Sequence, residues 1–203
     1  MDLSIIIPVF EEREKIGRDI QAASAFLASQ RLPGEIIVVD DGSRDGTAAA
    51  AKSVEVAPSM QLRVIRYDQN MGKGFAIREG VREAQGEYIM FADSGLCVPY
   101  SDALRGLQLL KGGACEIAHG SRRLAESKIQ RPQVWYRRLT ARIFRWVIFS
   151  WMKIPSHLTD TQCGFKIYRG DIAHELYPEC MANGFMFDVE IIMRALRKGY
   201  RIK

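Results

Sequence analysis

Carboxylates in this chain collect where its hydrophobic runs end. Ile36-Ile37-Val38-Val39 runs into Asp40-Asp41-Gly42-Ser43, and Tyr88-Ile89-Met90-Phe91-Ala92 runs into Asp93. Leu3 to Val9 is followed closely by Glu11, Glu12 and Glu14. A run of β-branched residues reads as a strand buried on both faces, as in a parallel sheet. Acids at the carboxyl ends of such strands face the crevice where open α/β sheets bind ligands. Two adjacent carboxylates repel a phosphate; they suit ribose hydroxyls, the N–H of a base, or a metal ion. A turn that caps the next helix would account for Asp45 or Ser43, but not for the Asp40-Asp41 pair. Positive charge joins the set through Gly72-Lys73-Gly74 and through a dense basic cluster from Arg122 to Arg145.

The elements that must position these residues alternate. Leu3 to Val9 forms a first strand, ended by Pro8, which has no N–H for a ladder. Ile16, Ile20, Ala23 and Leu27 recur at helical spacing and give one buried face, with Glu11, Glu12 and Glu14 at that helix's positive end. After Pro33-Gly34 comes the Val38 strand, then a helix from Thr47 to Val54 and a strand from Leu62 to Tyr67. The Lys73 loop leads into a helix carrying Ile77, Val81 and Ala84, ended by Gly86. Glu87 to Asp93 is a fourth strand, Pro99 to Leu110 a helix, Cys115 to Gly120 a short strand, and Thr161 to Tyr168 another. Phe187 to Lys198 places Val189, Ile192, Met193 and Leu196 on one helical face before Gly199, and Arg201-Ile202-Lys203 begins a further strand. Such alternation predicts an α/β fold with a mostly parallel sheet.

A chain of 203 residues forms one domain with a real core. Lys and Arg total 29 against 24 Asp and Glu, so 29 − 24 = +5. That excess suits anionic lipid or phosphorylated substrates better than nucleic acid, because no basic–aromatic repeats of a nucleic-acid module occur. Cys97, Cys115, Cys163 and Cys180 lack CxxC pairing and zinc spacing, and read as reduced thiols of a cytosolic protein. The sequence opens on a strand with no signal peptide, and no apolar run approaches a membrane span. His119, His157 and His174 have no mutual spacing that suggests a site. A dinucleotide oxidoreductase is disfavoured, since no GxGxxG follows the first strand, and Gly72-Lys73-Gly74 lacks the Walker spacing.

Taken in order, Pro8-Val9-Phe10-Glu11-Glu12, Val39-Asp40-Asp41-Gly42-Ser43, Gly72-Lys73-Gly74, Asp93, Gly120-Ser121-Arg122, Asp160-Thr161-Gln162-Cys163-Gly164-Phe165-Lys166 and Phe187-Asp188-Val189-Glu190 resemble the nucleotide-sugar domain of family 2 glycosyltransferases, and most of all the dolichyl-phosphate (polyprenyl-phosphate) β-glucosyltransferase group. Each motif alone is weak; the ordered series spans nearly the whole chain. The resemblance implies a GT-A type, Rossmann-like fold, with residues 1–125 as a nucleotide-sugar half and 126–203 as an acceptor half of one domain. It implies that Pro8, Phe10, Glu12, Asp40 and Asp41 hold the base and ribose, that Lys73 and Ser94 lie near the donor, and that Asp93 is the catalytic acid facing a divalent metal, Mg2+ or Mn2+. Where the family usually carries acid-x-acid, this chain has Asp93-Ser94-Gly95, so the second acid is absent. Magnesium is commonly held by one or two carboxylates together with phosphate oxygens.

The implied reaction is an inverting transfer of a hexose, glucose from UDP-glucose, onto a polyprenyl or dolichyl phosphate at the cytoplasmic face of a membrane, by a peripherally bound enzyme. A phosphate acceptor is already anionic and needs cations rather than a base; Arg122, Arg137, Arg138 and Lys166 are the candidates, with Thr140 as a neighbouring hydroxyl. Val134 to Met152 interleaves aromatics with arginines and either lies at the membrane surface or covers the sheet. A saccharide or small-molecule acceptor would instead need a general base, for which Asp188 is the candidate. A non-catalytic nucleotide-sugar-binding module is the third reading, motivated by Gly95. Asp160 and Asp188 could each serve structure or touch the sugar.

Overall fold

In a computed structural model of the protein, residues 1–122, 154–155 and 158–203 are described. The sheet has six strands: β1 (Leu3–Val9), β2 (Gly34–Asp40), β3 (Met60–Arg66), β4 (Tyr88–Ala92), β5 (Ile117–His119) and β6 (Phe165–Arg169). Their order is β3-β2-β1-β4-β6-β5. β1 to β4 pair in parallel, while β6 runs antiparallel between β4 and β5. The sheet is thus mostly parallel, as the alternation predicts. Ile202 pairs with Ile117 in an isolated parallel bridge, so the last described residues lie alongside β5 without forming a strand of their own.

Among the described residues, six α-helices cover the sheet: α1 (Ile16–Ser29), α2 (Thr47–Lys52), α3 (Lys73–Glu83), α4 (Ala103–Lys111), α5 (Gly170–Leu176) and α6 (Phe187–Arg197). The period-2 alternation of a strand splits β1 between two cores. Leu3, Ile5, Ile7 and Val9 pack with α1, α2 and α4, while Ile6 packs with α3, α5 and α6. Burial on both faces is why β1, β2 and β4 read as unbroken apolar runs rather than alternating ones. α5 follows β6 directly and carries no amphipathic run long enough to be read from sequence.

Pro8 does not end β1; the strand continues to Val9. The Val9 carbonyl accepts from the Asp41 N–H on the β2 side. Strand alternation therefore turns the Pro8 nitrogen toward β4, whose pairing with β1 stops at Ile6 and Phe91. The missing donor faces no acceptor and costs nothing there. Because the chain builds β1, β2 and β3 in one direction and then returns to place β4 on β1's other side, a crevice opens between the carboxyl ends of β1 and β4. No helix among the described residues is long and apolar enough to cross a membrane.

Candidate active site

Glu12, Asp41 and Asp93 lie just beyond the carboxyl ends of β1, β2 and β4, three adjacent strands of one sheet. Their surroundings interlock. The Glu12 N–H donates to Thr47 Oγ1, and the Glu11 N–H to Ser43 Oγ, tying the loop after β1 to the loop after β2. Asp41 accepts the Met71 N–H (2.7 Å) and the Gly72 N–H (2.9 Å), tying the loop after β2 to the start of α3. Lys73, the first residue of α3, reaches Asp93 Oδ1 at 2.5 Å. One rim therefore gathers what the sequence scattered across more than eighty positions.

The two acids after β2 play different structural parts. Asp40 is fully buried and its Oδ1 accepts the Ser43 N–H, while Oδ2 stands 3.8 Å from Arg66 Nε and accepts no hydrogen bond. Asp41 commits both oxygens to backbone amides of the Lys73 loop, and burial beside it pushes the Tyr67 phenol upward. Asp45 bonds the Thr47 N–H at the start of α2, the capping part expected of a turn acid. Phe10 is half-exposed at the rim, and Pro8 sits beneath it in β1.

Gly72 takes a φ of +99°, a region L side chains rarely adopt. A Cβ there or on Gly74 would also overlap the backbone of Asn183 or Ala182. The glycines on either side of Lys73 thus admit the loop before α6 to close backbone approach. Asn183 O accepts the Gly74 N–H at 2.7 Å, completing that contact.

Asp93 is fixed on three sides. Its N–H donates to Gly164 O (2.8 Å), its carboxylate meets Lys73, and the flank of that carboxylate packs directly on Gly164, where a Cβ would overlap it. Gly164→Ala is expected to push the carboxylate aside and lower turnover about a hundredfold, with donor affinity changed less. Steady-state kinetics beside an unchanged circular dichroism spectrum is the check.

Sequence reasoning missed Asp19. This α1 carboxylate is 1% exposed and accepts the Gly95 N–H (2.9 and 3.1 Å) and the Leu96 N–H (3.0 Å). Burial raises its pKa and those amides pull it back. It holds Ser94, Gly95 and Leu96 in a turn where both Gly95 (φ +87°) and Leu96 (φ +51°) are left-handed. A signal was available: Asp19 falls three after Ile16 and four before Ala23, on the buried stripe of an amphipathic helix. An acid there needs a polar partner.

Beneath Asp93 lies a second ion pair. Lys166 and Asp188, 1% and 3% exposed, bond one another, and Lys166 Nζ also donates to the Cys163 carbonyl at 2.7 Å. Lys166 and Lys73 both sit over the Phe91 ring, at 5.2 and 5.7 Å from its centroid. The structure thus places Lys166 inside the protein, under the rim, and not on an open acceptor surface. Burial pushes the Asp188 carboxyl above the ordinary range although Lys166 and Lys73 pull the other way. A proton acceptor for a sugar hydroxyl must reach it within hydrogen-bond distance, and this carboxylate is enclosed.

Arg122 is fixed by two bonds to Asp160, from Nε at 2.6 Å and Nη2 at 2.9 Å, which raise its pKa. Asp160 therefore orients a cation. Arg137, Arg138, Thr140, His157 and the Val134 to Met152 segment lie outside the described residues. His119 is partly buried, with burial and Lys166 lowering its pKa, and His174 lies 3.1 Å from the Ala84 carbonyl. All the cysteines are free thiols.

Glu190, one turn into α6, accepts the Met181 and Ala182 N–H groups and pairs with Arg194. Burial works to raise its carboxyl, but the two amides and the guanidinium outweigh it and bring it down to about 2. A depressed acid stabilises above its unfolded pKa and loses that contribution as pH falls through its folded value. The loop from Met181 to Met186 is expected to hold above about pH 4.3 and to loosen between there and about 2. Amide exchange of Met181 and Ala182 across that window tests this, and Glu190→Gln should remove the dependence.

Among the described residues no three acids, histidines or cysteines converge as a self-contained metal cage. A hard divalent ion that takes one carboxylate and completes its shell with diphosphate oxygens and water fits Asp93, whose side chain is 35% exposed. The donor set does not suit an ion that demands several protein ligands.

The model of glycosyl transferase family 2 matches residues 4–176. Relatives named dolichyl-phosphate β-glucosyltransferase include those of Saccharomyces cerevisiae, 32% identical with 99% of this chain and 64% of the relative covered, and of Homo sapiens, 31% identical with 94% and 61% covered. The chain spans roughly three-fifths of the length of these curated relatives. Among solved structures, glucosyl-3-phosphoglycerate synthase of Mycobacterium tuberculosis, crystallised with Mn2+, UDP-glucose and phosphoglyceric acid, superposes with a TM-score of 0.71 at 16% identity, covering 97% of this chain and 65% of that one. That likeness shows the fold, a GT-A α/β architecture. With the matched model running from β1 to the end of α5, across every strand that carries a rim acid, the chain belongs to glycosyl transferase family 2.

Proposed function

We propose that this domain transfers glucose, with inversion, from UDP-glucose to a polyprenyl or dolichyl phosphate. The observation that carries the choice of acceptor is the enclosure of Asp188 by Lys166. Without a free base at that position, an acceptor that is already anionic fits better than a sugar hydroxyl. The names of the relatives, at about 30% identity over nearly the whole chain, support the same acceptor.

In this reading an acceptor phosphate oxygen attacks the anomeric carbon from the face opposite the diphosphate. The new carbon–oxygen bond forms as the bond to the UDP oxygen breaks, and UDP departs with the electron pair. Phe10, Glu12 and the loops held by Asp40 and Asp41 receive the nucleoside, and Pro8 shapes the strand end beneath them. Lys73 and Ser94 lie along the diphosphate. Asp93 would hold Mg2+ or Mn2+, which when bound supplies Lewis-acid stabilisation of the leaving diphosphate. Arg122, oriented by Asp160, with Arg137 and Arg138, receives the acceptor phosphate through guanidinium forks. Lys166 and Asp188 support the Cys163-Gly164 backbone on which Asp93 rests. The lipid acceptor requires association with a membrane surface, and a cytosolic nucleotide sugar places that surface on the cytoplasmic side.

The test is purified protein with UDP-glucose, Mg2+ or Mn2+ and a short polyprenyl phosphate. The expected product is a glucosyl lipid of inverted anomeric configuration. Transfer to a saccharide but not to the lipid phosphate would favour the base-dependent alternative. UDP-glucose binding with no transfer or release would favour a binding module.

A further inference from the structure

Lys73 and Asp93 neutralise one another at the position where a cation would be held. We propose that this ion pair is a latch: it keeps a divalent cation off Asp93 until a nucleoside diphosphate arrives, so that nucleotide and cation bind with positive cooperativity. The inference rests on the donor reading above.

Three features support it. The Lys73 ammonium lies at contact distance from Asp93 Oδ1 and is only 16% exposed, so screening by water is limited and an approaching dication meets a fixed positive charge. The carboxylate also packs directly against Gly164, where an added Cβ would overlap it, which limits how far it can turn. Gly95 stands where a second acid would compensate, so a cation arriving alone gains one carboxylate already ion-paired with lysine.

Lys73 is held by more than Asp93. Its ammonium lies 5.7 Å from the Phe91 centroid and 5.8 Å from that of Phe187, over two aromatic faces that accommodate a cation. A diphosphate arriving at the rim offers Lys73 a new anionic partner, releases Asp93, and supplies the remaining oxygen ligands of the cation. Because coupling between two ligands is reciprocal, each then raises the affinity of the other by the same factor.

Mn2+ binding followed by electron paramagnetic resonance, with and without UDP, tests the latch. UDP chelates Mn2+ by itself, so the deciding arm uses Mn2+ alone. Lys73→Met is expected to bind Mn2+ about tenfold more tightly than the wild type in the absence of UDP, and to show a smaller coupling factor with UDP. Lys73→Arg, which keeps the pair, should resemble the wild type. Arg82→Met, removing an exposed charge on the same helix, should leave Mn2+ affinity unchanged. Equal Mn2+ affinity in the wild type and Lys73→Met, or an equal gain in Arg82→Met, overturns the latch. Should Lys73→Met fail to fold, Lys73→Gln takes its place under the same criteria. Failure of the wild type to bind UDP at all, with or without Mn2+, overturns the donor reading instead, while the Mn2+-only arm still decides the latch.

Discussion

Asp93→Asn is expected to lower turnover by about two to three orders of magnitude while leaving the fold intact. The amide is nearly isosteric, so the packing on Gly164 and the hydrogen bond from the Asp93 N–H to Gly164 O both survive. What disappears is the charge at the rim acid proposed to hold the cation. Lys73 then loses its partner and stands unpaired at the rim, so UDP binding in the absence of metal should hold steady or strengthen. The opposite signs are the informative part: turnover falls while metal-free UDP affinity does not. Steady-state kinetics with UDP-glucose, together with calorimetric titration of UDP in chelator, measures both. Unchanged turnover would remove Asp93 from the chemistry.

Lys166→Met is expected to cost about 3–5 kcal/mol of stability, because it strands a buried carboxylate. The Lys166 ammonium is enclosed with Asp188 and also satisfies the Cys163 carbonyl, so its loss opens two polar groups at once. With Lys166 gone, burial raises the Asp188 carboxyl further above its unfolded value. An acid whose folded pKa is raised gives stability present below the unfolded pKa and lost as pH rises through the folded one. The deficit of the variant relative to wild type should therefore shrink as the solution is acidified. Replacing both partners, Lys166→Met with Asp188→Leu, should cost less than either change alone. Urea denaturation at several pH values decides it. A purely additive double variant would show that the two side chains are not coupled.

The α/β class, the parallel sheet and the identity of the rim were legible in the sequence because they rest on local patterns. Unbroken β-branched runs at Ile36 to Val39 and Tyr88 to Ala92 announce strands buried on both faces, and an acid at the end of each announces the crevice. The amphipathic stripes of α1, α3 and α6 were equally plain, since helical period is a property of a short window. α5 was not, because a helix of seven residues shows little period, and β1 was cut short at Pro8 because its unpaired edge depends on where β4 stops.

Which charges remain free at the rim was decided only by tertiary structure. Lys166 and Asp188 are ordinary charged residues in the chain, and nothing local says that they will be enclosed; the helical stripe places Asp19 inside without saying which partner it meets. Groups far apart in sequence satisfied them: Asp19 accepts the Gly95 and Leu96 N–H groups, and Lys166 meets Asp188 across the gap between β6 and α6. Ionic partners form wherever packing leaves no water, and packing is set by the whole fold. The sequence by itself therefore determined the family and the sheet edge at which the acids gather. The folded chain decided that Lys73 pairs with Asp93 and that Lys166 and Asp188 pair with each other beneath it.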